Sequence, residues 1–188
     1  MKNSLEPFKN LAEAFGALPG IGEKSALKLA YHIVTEGSYD GIKLSHAIER
    51  ALESIRLCSK CNNLSEDELC AVCSDTMRDS SKICLVESAK DIITIEKLGQ
   101  YDGRYYVLND SDSFDLSHLR EALKGVKELI FAFAPSIASD TMMLYLESQL
   151  EDLNLNFTKI AQGVPTGISL ENVDTLSLAR AIEDRVSI

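Results

Sequence analysis

Cys58-Ser59-Lys60-Cys61 and, after eight intervening residues, Cys70-Ala71-Val72-Cys73 divide the 188-residue chain into parts of different rhythm. Each C-x-x-C turn brings two thiolates to one side, and two such turns close a tetrahedral four-sulfur shell of the kind zinc takes in structural sites. The competing reading is redox or independently buried cysteines. Two pairs this close together, in a polar stretch (58–82) without a long apolar run of its own, favour the metal. Cys58, Cys61, Cys70 and Cys73 are therefore expected to hold one Zn²⁺ per chain. With no coordination position open, that ion stabilises the fold and does not catalyse. A four-thiolate shell carries two excess negative charges, and Arg56, Lys60, Arg78 and Lys82 are near enough in sequence to offset them. The fifth cysteine, Cys84, lies in Ile83-Cys84-Leu85-Val86 and reads as a small buried hydrophobe.

Upstream of the cysteines the pattern is helical. Leu5, Phe8, Leu11, Ala12 and Phe15 recur at three- and four-residue spacing, with Ser4 as N-cap. A second helix is expected from Glu23 to Glu36, closed by Gly37 as a C′ glycine, and a third from Asp40 to Leu57. Between the first two stands Leu18-Pro19-Gly20-Ile21-Gly22-Glu23-Lys24-Ser25-Ala26. Two glycines one residue apart permit a tight turn and close approach of another backbone. The turn leads into a helix N-terminus, whose unpaired amides and dipole suit a phosphate, and Lys24 and Lys28 share one face there. The bland alternative is an ordinary helical-hairpin turn with two solvated lysines. The full string resembles a helix-hairpin-helix DNA-backbone motif, which makes Gly20, Gly22, Lys24 and Lys28 the candidate DNA contacts.

Downstream, strand-like runs at Ile83–Glu87, Tyr105–Leu108, Leu129–Ala134 and Phe157–Ala161 alternate with helix-like stretches at Ala89–Leu98, Asp115–Lys124 and Ser139–Leu153. That alternation predicts a mostly parallel sheet with helices packed on it. Gly163–Gly167 reads as a loop and Thr175–Arg185 as a last helix. Glu87 would stand at the carboxyl end of a parallel strand, where α/β sites form. It resembles the first acidic motif of Toprim domains. A magnesium site for phosphoryl transfer needs more than one carboxylate, and Pro135-Ser136-Ile137-Ala138-Ser139-Asp140 supplies no acidic pair. Asp110-Ser111-Asp112 follows the earlier strand and reads as a polar turn and N-cap region. No catalytic residue is assigned, and His32, His46 and His118 read as surface or helix-packing residues.

The net charge of −10 argues against an overall basic DNA-binding surface, but the charge is uneven. Residues 1–60 hold eight Lys/Arg against seven Asp/Glu, whereas residues 61–188 hold eleven against twenty-two. Any DNA contact should sit in the first third, leaving the acidic remainder for protein partners. No apolar run approaches the ~20 residues of a membrane helix, and the start, from Met1 to Pro7, has no secretory h-region. A soluble protein of a reducing, cytoplasmic compartment is expected.

The expected architecture is α/β overall, a multi-part α+β chain: a helix-hairpin-helix region (1–57), a four-cysteine zinc module (58–82), a Toprim-like α/β domain (83–162) and a short C-terminal tail (163–188). That order resembles the RecR family over nearly the whole chain. The strings that carry the likeness are Leu18–Ala26, the paired cysteines, Val86-Glu87-Ser88 with Asp91-Ile92, and Gly99–Leu108. Ile160–Gly167 and Leu170–Asp174 add to it. The resemblance implies a bacterial recombination-repair protein that binds single-stranded or gapped DNA as a ring-like tetramer and acts with RecO and RecF to load RecA. It implies that Lys24 and Lys28 face DNA, that the zinc is structural, and that the Toprim-like domain, with Glu87, serves partner binding and not catalysis. The tail would help subunits associate. A ring also accommodates the acidic composition, because symmetry gathers a few lysines around one hole. The chain departs from the family pattern after Leu108, where it runs directly into Asn109-Asp110-Ser111-Asp112-Ser113, and after the third Toprim strand, where it has Ser136-Ile137-Ala138-Ser139. Two other readings compete: a magnesium-dependent Toprim nuclease, and a protein adaptor with no role on DNA.

Overall fold

A computed structural model describes residues 5–108, 114–161, 167 and 169–183. The chain forms two compact units, Met1–Ile55 and Arg56–Ile188.

The first unit is helical: α1 (Glu6–Gly16), α2 (Glu23–Thr35) and α3 (Ser38–Ser54). α1 and α2 pack closely through small residues, with Ala12, Ala26 and Ala30 buried. A Cβ added at Gly16 would meet that of Ala26 at 3.6 Å. Leu5 holds the N-cap position of α1, and Ser4 lies outside the described residues. Gly37 follows the C-cap Glu36 in the expected C′ position, its amide donating to the His32 carbonyl at 2.8 Å, but without the usual C′ conformation. Its φ is −112°, not left-handed, and it serves as the N-cap residue of α3. What requires glycine there is space, since a Cβ would lie 3.0 Å from Nε2 of His32. α3 also ends earlier than the periodicity predicts, because Arg56–Leu57 leave it as strand β1. No residue of α3 is buried, and Leu44, Ile48, Leu52 and Ile55 form an apolar stripe along it, Leu52 being 79% exposed.

The second unit begins with β1 paired antiparallel to β2 (Leu64–Ser65), followed by the one-turn α4 (Ala71–Ser74). The sheet then starts earlier than expected, β3 running from Asp79 to Val86, so that residues 79–82 belong to it and not to the cysteine module. With β4 (Gly103–Val107), β5 (Glu128–Ala132) and β6 (Asn156–Lys159), β3 forms a four-stranded parallel sheet in the order β4-β3-β5-β6. Alternation sorts the two faces. Ile83, Leu85, Tyr106, Leu129 and Phe131 pack with Leu119 and Leu123 of the α6 (Leu116–Ala122) segment and with Leu146 and Leu150 of the α7 (Ile137–Gln149) segment. Cys84, Val86, Tyr105 and Val107 pack on the opposite side against Ile92 of α5 (Ala89–Glu96) and Val72 of α4. Burying each such large side chain stabilises the fold by about 1.5–3 kcal/mol, so both faces contribute. Two short 3₁₀ turns, Glu151–Leu153 and Leu170–Asn172, and the helix α8 (Thr175–Glu183) complete the described chain. The loop expected at 163–167 lies outside the described residues except for Gly167. The structure is mixed α/β with helical N-terminus, four-cysteine cluster and parallel sheet.

Candidate nucleic-acid interface and metal centre

Leu18-Pro19-Gly20-Ile21 closes the hairpin between α1 and α2 as a β-turn, the Ile21 amide donating to the Leu18 carbonyl at 3.2 Å. Pro19 at its second position and Gly20 with φ +81° at its third match a type II turn, which requires a positive φ there. Gly22 is extended (φ −81°, ψ 164°) and caps α2, its carbonyl accepting from the Ala26 amide at 3.0 Å. The amides of Glu23, Lys24 and Ser25 therefore lie in the first turn of α2, where no intrahelical acceptor exists. A Cβ on Gly20 or Gly22 would meet nothing within 4 Å, so the space before this helix end is open. Lys24 and Lys28 are exposed one turn apart, and neither pairs with a described carboxylate.

In the second unit the four cysteines converge. Cys58, Cys61, Cys70 and Cys73 are all buried, and their Sγ atoms lie within 4.8 Å of one another. Cys61 and Cys70 approach to 3.6 Å, close to the ~3.8 Å edge of a tetrahedron with ~2.3 Å zinc–sulfur bonds. The hydrogen bond between these two thiols pushes Cys61 up and pulls Cys70 down in pKa. Thiols so crowded cannot all ionise without a cation among them, and a zinc ion supplies that charge. The donor set, four sulfurs with no imidazole or carboxylate, fits a closed structural site. The Cys70 amide donates to Sγ of Cys58 at 3.3 Å, fixing one ligand from outside the shell. Among the described residues no other group of three or more His, Cys, Asp or Glu could hold a metal.

The cysteine module is fastened to the sheet at β4. The Val107 amide donates to the Cys61 carbonyl at 2.9 Å, and Nδ2 of Asn62, which adopts φ +59°, donates to the Val107 carbonyl at 3.3 Å. His118 makes a second tie. Its Nε2 lies 2.8 Å from the Ser59 carbonyl, which can only accept, so Nε2 carries the proton, and Nδ1 faces the Tyr106 hydroxyl at 2.8 Å. His118 is thus a bridge between module and domain, a role its isolated place in the sequence does not announce.

Two of the cations expected to offset the thiolates are committed elsewhere. Arg78 forks onto Glu96 and also reaches the carbonyls of Tyr101 and Gly103, while Tyr105 donates to Glu96 at 2.6 Å. These bonds pull Glu96 below the usual carboxylate range, the Arg78 hydrogen bond being the largest cause. Lys82 pairs with Asp102 at 2.8 Å and Asp79 at 3.2 Å. Cys84 is buried in β3, and burial pushes its thiol up to about 12.

Glu87 is exposed, directly after the carboxyl end of β3. Since β4 lies to one side of β3 and β5 to the other, strand order reverses here, and the ends of β3 and β5 flank the crevice. Asp91, one turn into α5, accepts from the Ser88 amide at 2.8 Å and from its hydroxyl at 3.1 Å. The end of β5 offers hydroxyls: Ser136 accepts from the Ser139 amide at 3.0 Å, and the Ser139 hydroxyl donates to the Ala134 carbonyl at 2.7 Å. Asp110 and Asp112 lie outside the described residues, and Asp115 is the N-cap of α6, accepting from the Ser117 and His118 amides.

Comparison with known proteins agrees with this layout. Four family models match in succession: the RecR helix-hairpin-helix over residues 8–52, the RecR four-cysteine zinc finger domain over 55–75, the Toprim domain over 81–161 and the RecR C-terminal region over 163–186. A "Recombination protein RecR" of Nitratiruptor sp. is 55% identical over the full length of both chains. One of Helicobacter pylori is 47% identical over 98% of this chain and 97% of its own, and one of Campylobacter jejuni is 46% identical over all of both. The four close cysteines are accordingly a structural zinc site, and no described helix is long and apolar enough to cross a membrane. Hairpin, zinc site, parallel sheet and full-length likeness together place this chain in the RecR family of recombination proteins.

Proposed function

We propose that the chain is a recombination mediator without catalytic activity of its own, which grips DNA as an oligomeric clamp and works with RecO and RecF in gap repair and RecA loading. The observation that carries the DNA contact is the hairpin. A type II turn opens onto the free N-terminus of α2, with Lys24 and Lys28 unpaired beside it and clear space over Gly20 and Gly22. Amides and dipole attract a phosphate, and the two lysines add charge. Such contacts read backbone and not sequence.

The zinc-containing unit and Glu87 are assigned to partners, with residues 1–57 as the DNA-binding region and 163–188 as an assembly tail. The uncovered stripe of Leu44, Ile48, Leu52 and Ile55 supports self-association, since a helix with no buried residue gains little stability by itself. A tetrameric ring in the bacterial cytosol is the arrangement proposed. The deciding experiment is DNA binding at low salt by the wild type and by Lys24→Glu/Lys28→Glu, with RecO absent and present, and with magnesium added. Expected are binding by the wild type, loss in the variant, and DNA left intact by both. Equal binding by the two proteins would move the contact off the hairpin and favour an adaptor that folds around zinc without touching DNA. Cleavage abolished by Glu87→Gln would instead identify a Toprim nuclease.

A further inference from the structure

A four-thiolate zinc shell carries two excess negative charges, and two of the cations nearest to it in sequence, Arg78 and Lys82, are bonded to carboxylates instead. The charge that offsets the shell has to come from elsewhere in the fold. A cavity of about 490 Å³ lies between the cysteine module, β3, β4 and α6, and Cys61 and Cys73 form part of its wall. Three cations stand on that wall, Lys60, Arg104 and Lys124, together with one carboxylate, Glu121. Lys124 pairs with Glu121 at 2.5 Å. Lys60 and Arg104 have no carboxylate partner among the described residues. Their two positive charges match the two that the shell leaves over. The wall is therefore neutral beside a zinc-bound shell, whereas beside four neutral thiols it would carry two positive charges that nothing balances.

Both side chains are partly buried, where a charge without a counter-charge is costly. Nε of Arg104 is enclosed and has no hydrogen-bond partner. A hydrogen bond at Nε therefore does not account for its placement, but a negative field does, because charges couple over several ångströms more strongly inside a protein than in water. Arg56, the remaining cation near the cysteines, is exposed on β1 and does not belong to this wall. Loading converts four thiols and a dication into a shell of net negative charge and releases protons, so positive charge beside it favours the loaded state. We propose that Arg104 and Lys60 are the outer-shell cations of the zinc site, holding its thiolates in the metal-bound state and lowering their reactivity toward electrophiles. Both act through the cysteines and are positioning residues. Arg104, standing on β4, ties the charge balance of the module to the sheet, and no spacing in the sequence announces it.

The test uses the full-length protein loaded with zinc or, as a spectroscopic probe, with cobalt. Zinc affinity is measured by competition with a chromophoric chelator, and thiolate reactivity by the rate of alkylation with iodoacetamide. Arg104→Gln and Lys60→Gln are each expected to weaken zinc binding about tenfold and to speed alkylation. Arg104→Lys should restore most of both, since it returns the charge without the guanidinium. In the cobalt form the sulfur-to-metal charge-transfer band should move to lower energy in both glutamine variants, because thiolate electrons are held less tightly without the cations. The ligand-field bands of a tetrahedral four-sulfur site should stay in place. Unchanged affinity and alkylation in both glutamine variants overturns the proposal. So does a loss in Arg104→Gln that Arg104→Lys fails to restore while the charge-transfer band stays unmoved, which would make Arg104 a packing residue of β4. If Arg104→Gln fails to fold, Lys60→Gln, outside the sheet, decides by the same measures. None of these readouts uses DNA, so their outcome is independent of the hairpin reading.

Discussion

Gly20 and Gly22 stand one residue apart and are glycine for different reasons. Gly20 holds φ +81°, a conformation that costs an L-residue roughly 1–2 kcal/mol. Gly22 is in ordinary extended backbone with open space where a Cβ would go. Gly20→Ala should therefore lower the melting temperature, whereas Gly22→Ala should leave it nearly unchanged and still weaken DNA binding, because the added methyl stands where a strand would approach. Equal melting of the two variants would refute the assignment. At this scale the sequence shows much of the hairpin, since Pro-Gly names its turn locally. It shows little of what depends on distant partners. Arg78 and Lys82 are near the cysteines in number yet bonded to Glu96 and Asp102, and His118, far along the chain from Ser59, carries no motif that points to its bridge.

Among the elements, α5 is held to the sheet by the fork of Arg78 on Glu96 and the hydroxyl of Tyr105. Glu96 titrates lower folded than unfolded, so its contribution is present above the usual carboxylate range and lost as pH falls through its folded value. Glu96→Gln should cost about 1–2 kcal/mol at neutral pH in denaturant unfolding. The gap to wild type should close in acid, and a gap constant with pH would mean that the charge is not what matters. The cysteine module depends on its metal in the same local way. Cys58→Ser or Cys73→Ser should leave the module poorly folded and lower the melting temperature, because metal binding is its folding energy. Two variants with normal melting would make the zinc dispensable. The module and the four strands of the sheet are legible in the sequence because cysteine spacing and short apolar or aromatic runs act over a few residues. The early start of β3 at Asp79 is not, since polar Asp79, Ser80 and Ser81 carry no strand pattern of their own and the pairing there is of Asp79 with Gly103, a residue far along the chain.

For the whole molecule the informative feature is an apolar surface in the wrong place for a monomer. α3 carries Ile48 and Leu52 at 51% and 79% exposure, and burying such a stripe between copies would stabilise an oligomer by a few kcal/mol. Ile48→Glu/Leu52→Glu is expected to shift sedimentation toward smaller species and to weaken DNA binding, although neither residue belongs to the hairpin. A variant that sediments and binds like wild type would exclude this face from assembly. Helical periodicity predicted the apolar side of α3 but not that it stays uncovered, because a period reports which residues share a face and not what lies against it. A last consequence belongs to β4, one of the two edge strands of the sheet. Its Val107 backbone is satisfied by the Cys61 carbonyl and the Asn62 side chain, so the metal knuckle also shields an open β-edge. Stripping the zinc would then do more than loosen a small module. It would uncover a strand able to recruit another chain, and the protein kept in chelator should aggregate by edge-to-edge pairing before it unfolds.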